Sequence, residues 1–252
     1  MSTGFGGTSP RSAQFTAVNG EILVASHHGI NSFNFQQQKL TKILDIEPNL
    51  PKNRCNDGAS DAKGRFWIGT MQNNISSDST DIEITENSGS LYCVNKDLTY
   101  TKHESNIGVS NTLAWSPDNQ KFYFTDTLTG IIFSYDFNLE NGEISNKQEF
   151  AKHERGYPDG STVDSEGYLW SCRWGGSCVI RFDPNGKVDD IVELPVENIT
   201  SCTFGNKSLQ TLFITTARWG MTKEDIEKNP EAGGLFSIDL DIKGLPDNAF
   251  SG

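Results

Sequence analysis

The stretch NDGASDAKGRFWIGT, residues 56–70, returns as DGSTVDSEGYLWSCRW, residues 159–174, with the same punctuation. Counting from Asn56, an Asp follows after five residues (Asp61), a Gly after eight (Gly64) and a Trp after eleven (Trp67); counting from Asp159, Asp164, Gly167 and Trp170 fall at the same offsets. Two more copies carry one extra residue in the turn: NTLAWSPDNQKFYFTDT from Asn111, with Tyr123 as its aromatic, and SCTFGNKSLQTLFITTA from Ser201, with Phe213. A fifth, weaker copy is NGEILVAS, where Gly20 and Leu23 take the places of Gly64 and Trp67 and Ser12 the first position. The four clear copies start 55, 48 and 42 residues apart. Each copy is followed by a second apolar strand opened by Gly or Ser: GINSFNF, GSLYCVN, GIIFSYDF, SCVIRFDP and GGLFSIDL. Strands at short intervals without helical periodicity suit a sandwich, barrel or propeller, and a repeat of roughly 40–50 residues holding about four strands selects the propeller. The expectation is an all-β chain with five β-propeller repeats, one domain over residues 12–252 behind a flexible tail at residues 1–11.

In a propeller the first strand of each repeat is innermost. The equivalent first positions Ser12, Asn56, Asn111, Asp159 and Ser201 are therefore expected to point toward the axis near one face. A ring of oxygen donors of this kind suits a hard or borderline divalent cation, although polar groups in a wet channel can equally be solvated or bonded to nearby turns. Arg54, Asn56 and Asp57 in NRCNDG set a fork of N–H donors beside an amide and a carboxylate, suited to polyol hydroxyls and a carbonyl. Read blandly, Asp57-Gly58 is a turn, and Asp61 and Asp164 are acceptors at turns or strand ends.

A formal net charge of −12 lacks the clustered Lys and Arg that phosphate binding needs, so nucleic acid is not an expected partner. Apolar runs are too short to span a membrane, and the opening MSTGFGGTSP has no signal-peptide order, so a cytoplasmic location is expected. The five cysteines form no C-x-x-C pair and are odd in number, which points to reduced, buried thiols. His27 and His28, adjacent on a strand, face opposite ways, and His103 and His153 pair with no serine at a spacing that suggests a Ser-His-Asp hydrolase. NNISSDSTDIEITENS, residues 73–88, reads as a polar loop inserted between strands.

NRCNDGASDAKGRFWIGTM, SNTLAWSPDNQKFYFTDT, YPDGSTVDSEGYLW, RFDPNGK and AGGLFSIDLDIKGLPDNAFSG, in this order, resemble the regucalcin, gluconolactonase and luciferin-regenerating-enzyme family (senescence marker protein-like). The resemblance implies a propeller of six blades and hydrolysis of sugar lactones to aldonic acids. It implies one divalent ion, calcium or zinc, with magnesium or manganese as substitutes. Carried over by position, Asn111 and Asp159 hold the ion, Asp159 also serves as catalytic base, Arg54 and Asn56 grip the substrate, and a substrate-contacting glutamate falls near Glu86. The partner expected is a small-molecule sugar lactone. A non-catalytic propeller that binds calcium or a metabolite is the alternative.

Family members open on a Glu-Gly-Pro-x-Trp-like segment whose Glu is a further ligand, and this sequence has no such segment and five repeats where six are expected. A truncated reading frame, a natural five-bladed relative and a blade supplied by another chain are the three readings, the last implying self-association through the gap.

Overall fold

In a computed structural model of the chain, residues 17–18, 21–27, 29–78 and 80–252 are described. The expected tail at residues 1–11, the first position Ser12 and His28 lie outside them. The alternating and continuous apolar runs of the repeats form five consecutive antiparallel sheets. The first holds β1 (Ala17–Val18), β2 (Glu21–Ser26), β3 (Gly29–Asn34) and β4 (Lys39–Leu44). The second holds β5 (Asn53–Ser60), β6 (Phe66–Gln72), β7 (Gly89–Val94) and β8 (Tyr100–Ile107). The third holds β9 (Ser110–Trp115), β10 (Lys121–Asp126), β11 (Ile131–Asn138) and β12 (Glu143–Lys152). The fourth holds β13 (Tyr157–Val163), β14 (Leu169–Trp174), β15 (Cys178–Phe182) and β16 (Val188–Glu193). The fifth holds β17 (Ile199–Gly205), β18 (Thr211–Thr216) and β19 (Leu235–Asp239). In every sheet the strand order is the chain order, the blade pattern of a β-propeller, and the fold is of that class. A single short α-helix, α1 (Lys223–Lys228), sits in the β18–β19 connection among the described residues, and one 3-10 turn, Thr127–Thr129, follows β10.

The chain divides into two compact units: residues up to Ser110 together with Asn248–Gly252, and Asn111–Asp247. In the first unit Leu23, Ile30, Phe66, Ile68, Tyr92 and Phe250 form a buried core. The C-terminal segment docks onto the β5–β6 turn, where Ser251 donates its backbone N–H to the Gly64 carbonyl at 3.0 Å and Phe250 meets Phe66 edge-on. The second unit has one core around Trp170, Val179, Ile199, Leu212 and Ile214 and another around Tyr123, Ile132, Leu169, Ile180 and Phe182. Strands such as β7, β14 and β15 are buried on both faces, whereas the outer strands β4, β8, β12 and β16 are largely exposed. Lys and Glu along those outer strands, in KLTKIL and EISNKQEFAK, discourage pairing with another chain's edge.

The repeat's internal Asp proves to be its anchor. Asp61 Oδ1 accepts the backbone N–H groups of Lys63 and Arg65, and its Oδ2 accepts Trp67 Nε1 at 2.9 Å and Arg65 Nε at 2.7 Å. Asp164 repeats this arrangement with the N–H groups of Glu166 and Tyr168, Trp170 Nε1 at 2.9 Å, and the Arg181 guanidinium. In the copies with a longer turn the aromatic is Tyr123 or Phe213, which brings no indole N–H, and the Asp gives way to Ser116 and Asn206. A fully buried indole N–H needs an acceptor, so the carboxylate and the tryptophan travel together.

Candidate functional site

In the first unit the side chains of Arg54 and Asn56 meet directly. Arg54 Nη1 donates to Asn56 Oδ1 at 2.8 Å, and Asn56 Nδ2 donates to the Ser110 carbonyl at 2.8 Å. The other edge of the guanidinium bonds Asn74 Oδ1, from Nε at 3.2 Å and from Nη2 at 3.0 Å. Asn74 lies in the inserted loop of residues 73–88, which therefore braces the arginine, a role that no residue pattern marks. Arg54, Asn56 and Asp57 are all half-buried, held in place yet within reach of a ligand. Glu86 is exposed on the same loop, and its backbone N–H donates to Gln72 Oε1 at 2.8 Å.

Asp57-Gly58 is not a turn. Both residues lie inside β5, where the register with β6 shifts between Cys55 and Gly58, leaving Asn56 and Asp57 outside the regular ladder. The equivalent shift in β13 falls between Pro158 and Ser161, across Asp159-Gly160, and in β17 between Ile199 and Ser201. Each shift is a β-bulge, which re-aims the side chain beside it, and in β13 the bulge falls on the Asx-Gly pair Asp159-Gly160. Glycine follows because the backbone comes close to a neighbour: a Cβ on Gly160 would sit 2.5 Å from Ser201 Oγ and 2.8 Å from the Thr200 carbonyl oxygen.

The second unit brings three first positions together. Asn111, buried, donates from Nδ2 to Thr127 Oγ1 at 2.8 Å, and Thr127 Oγ1 donates to the Pro158 carbonyl at 2.8 Å. Thr112 Oγ1 donates to the Asp159 carbonyl at 2.7 Å and lies 3.0 Å from Ser161 Oγ. Residues 111–112 are thus tied at two points to residues 158–161, and Gly160 abuts Ser201. Asp159 itself is half-buried. Two threonines that the repeat does not single out tie the backbone around Asp159 to Asn111 and its neighbour within this unit.

Thr112 also has φ = 58°, and it is fully buried. A β-branched residue is rarely left-handed, and such positions carry strain of about 1–3 kcal/mol. Its hydroxyl bonds are what hold it there, so Thr112→Val, isosteric but unable to donate, is predicted to lower stability by about 1–3 kcal/mol, because the strain stays and the Asp159 carbonyl loses its donor. Thr112→Gly should fall closer to wild type, since it removes the strain along with the bonds. Urea denaturation of both variants checks this; a valine variant as stable as wild type would mean the hydroxyl holds nothing.

The donors fit an ion held by oxygen. Asn111 and Asp159 are tied into one frame by the contacts above, and amide and carboxylate oxygens suit calcium, magnesium or manganese. Thiolate ligation does not fit: all five cysteines are buried, none is in a disulfide, and burial pushes the Cys55 and Cys93 thiols up to about 12 and that of Cys172 up as well. Among the described residues no three His, Cys, Asp or Glu side chains cluster as a metal site. His103 stacks on Trp67, and His153 Nδ1 accepts the Arg155 N–H. No helix among the described residues is long and apolar enough to cross a membrane.

Residues 4–218 match the family model of the SMP-30/Gluconolactonase/LRE-like region. Regucalcin of Gallus gallus is 34% identical over 247 residues, which cover 96% of this chain and 81% of that protein. Among solved structures, a luciferin-regenerating enzyme superposes with a TM-score of 0.85 at 28% identity, covering 97% of this chain and 83% of that one. The regucalcin of Agrobacterium tumefaciens, described as a calcium-binding protein, superposes with a TM-score of 0.86 at 28% identity over 94% of this chain and 78% of its own. With its repeat, its propeller fold and these relatives in agreement, the chain belongs to the SMP-30/gluconolactonase/LRE-like family.

Proposed function

We propose that this protein is a lactonase that opens sugar lactones to aldonic acids with the help of one oxygen-ligated divalent ion, calcium being the first choice. The observation that supports the reading is that Thr112 and Thr127 tie the Asn111 side chain and the backbone at Pro158-Asp159 into one frame. Family membership supports the lactonase class. Asn111 and Asp159 would hold the ion, which when bound polarises the lactone carbonyl. Asp159 takes a proton from the attacking water as its oxygen bonds to the carbonyl carbon. That proton passes to the ring oxygen as the ester C–O bond breaks, so the product is the open hydroxy acid. Arg54 and Asn56, pre-bonded to each other, orient the sugar hydroxyls, and Asn74 keeps the guanidinium from swinging away.

Acid release from glucono-δ-lactone, followed at constant pH against the spontaneous rate, tests the reading. Hydrolysis is expected with calcium present, to be lost after chelation and restored by adding calcium back. If none of calcium, magnesium, manganese and zinc lifts the rate above the uncatalysed one, the protein is not a lactonase of this kind.

A further inference from the structure

The second unit carries a cavity of about 640 Å³ that neither Asn111 nor Asp159 lines. Trp174, Glu197, Asn198, Trp219, Met221 and Asp225 form most of its wall. Three connections enclose it: the β14–β15 turn, the β16–β17 loop and the long β18–β19 connection that contains α1. Strand register fixes where it lies. Trp174, at the end of β14, pairs with Tyr157 of β13, two residues before Asp159 on that strand, so one wall residue belongs to the strand beside the one that carries Asp159.

The wall is built rather than slack. Arg218 clamps the β18–β19 connection from within, donating from Nε to the Ala232 carbonyl at 2.6 Å and from Nη2 to the Pro230 carbonyl at 3.1 Å. Thr222 and Asp225 form a reciprocal capping box at the start of α1. Asn198, buried, donates from Nδ2 to the Trp219 carbonyl at 3.1 Å and accepts the Ala217 N–H on its own carbonyl at 3.0 Å, which ties the connection to the opposite loop. A cavity whose loops are already ordered binds without a large ordering loss.

Its chemistry is selective. Two half-buried indoles offer apolar faces, and neither Trp174 nor Trp219 uses its Nε1–H in a hydrogen bond among the described residues. Glu197 and Asp225 are acceptors for hydroxyl groups, Glu197 without an ion-pair partner among the described residues. No Lys or Arg lines the space, so phosphate and carboxylate groups are disfavoured. Flat aromatic faces against C–H surfaces, with carboxylates and an amide at the rim, are the complement of a neutral pyranose ring.

We propose that this cavity is a glycosyl subsite, so that the substrates are lactones of disaccharides whose second, neutral sugar ring rests between Trp174 and Trp219. As a statement about substrates it rests on the lactonase reading above; as a statement about the cavity it can be tested alone. Two measurements separate them. Tryptophan fluorescence titrated with cellobiose, which has no lactone to open, is expected to change saturably in the wild type. The Trp219→Ala and Glu197→Gln variants should bind about tenfold and about fivefold more weakly, Glu197→Gln being an exposed change that leaves folding alone. In parallel, kcat/KM for cellobiono-δ-lactone is expected to exceed that for glucono-δ-lactone by about tenfold, mostly in KM, and Trp219→Ala should erase the difference while leaving glucono-δ-lactone turnover intact. Cellobiose binding without hydrolysis of either lactone would sink the lactonase reading and leave the subsite standing. Equal hydrolysis of both lactones with no fluorescence response to cellobiose would overturn the subsite. A response to tetramethylammonium but none to cellobiose would overturn it too, in favour of an organic-cation pocket.

Discussion

Asp164→Ala is expected to lose about 3–5 kcal/mol of folding stability, read as a fall in the urea midpoint. The carboxylate is fully buried and serves two backbone N–H groups, the Trp170 indole and the Arg181 guanidinium at once. Its removal strands a buried indole N–H in the core, and a buried donor left without a partner costs about 1–3 kcal/mol by itself. It also takes from Arg181, itself buried, the one carboxylate in its interior; the remaining partners, Glu166 at 2.7 Å and Asp189 at 2.7 Å, lie toward solvent. Asp164→Asn keeps an acceptor of the same shape and should fall between the two. Trp170→Phe removes the indole donor, so the double variant Asp164→Asn with Trp170→Phe should lose less than the sum of the singles. The exposed Arg155–Glu193 pair provides the contrast: Glu193→Ala should leave the midpoint almost unchanged, since solvent screens the charges there. An alanine variant at Asp164 within 1 kcal/mol of wild type would mean that the repeat's Asp is ornamental.

That anchor was readable because it is local. Asp61 and Trp67, like Asp164 and Trp170, are six residues apart, so the blade's internal bond leaves a fixed spacing in the chain. The same locality made the strands and their order legible, each sheet being formed by consecutive segments. Contacts that cross the chain leave no such mark. Glu47 is buried with a left-handed φ of 57° and accepts from Asn53 at 2.7 Å, Thr70 at 3.0 Å and Tyr92 at 2.8 Å, partners 6, 23 and 45 residues away. It braces β5, β6 and β7 from a linker that reads as an ordinary polar turn. Thr112 and Thr127 are hidden for the same reason, since their bonds to the Asp159 and Pro158 carbonyls span 47 and 31 residues. Asp57-Gly58 reads as a turn because an Asp-Gly pair makes one in other backbone contexts; here Asp57 sits in the bulge of β5 and Gly58 rejoins the ladder opposite Ile68. Asn56, Asn111 and Asp159, chosen by position in the repeat, lie on the first strands of their sheets, β5, β9 and β13, while the groups bonded around them are visible only in the structure.

Asp159→Asn is expected to lower kcat/KM for sugar-lactone hydrolysis about a hundred- to ten-thousandfold, the range of a lost general base. The fold should not be the reason. Asp159 contributes its backbone carbonyl, not its side chain, to the bond from Thr112, and the carboxylate is half-buried at a bulge that already departs from the ladder. Its urea midpoint, measured on the same preparation, separates a loss of folding from a loss of catalysis. The substitution removes a charge from the ion's ligand set as well as a base, and the two effects separate on a titration with calcium. A ligand-only role would show as a raised calcium requirement with full kcat once the ion saturates, because an amide oxygen still coordinates, more weakly. A base role leaves kcat depressed at every calcium concentration, since an amide cannot accept the water's proton. Asn111→Asp supplies the complementary case: it keeps an oxygen at the ligand position, adds charge, and exchanges the Nδ2 donor that holds Thr127 for an acceptor, so tighter calcium binding should come with a disturbed frame. If Asp159→Asn recovers wild-type kcat at saturating calcium, the proton must go elsewhere, and Asp159 is a ligand alone.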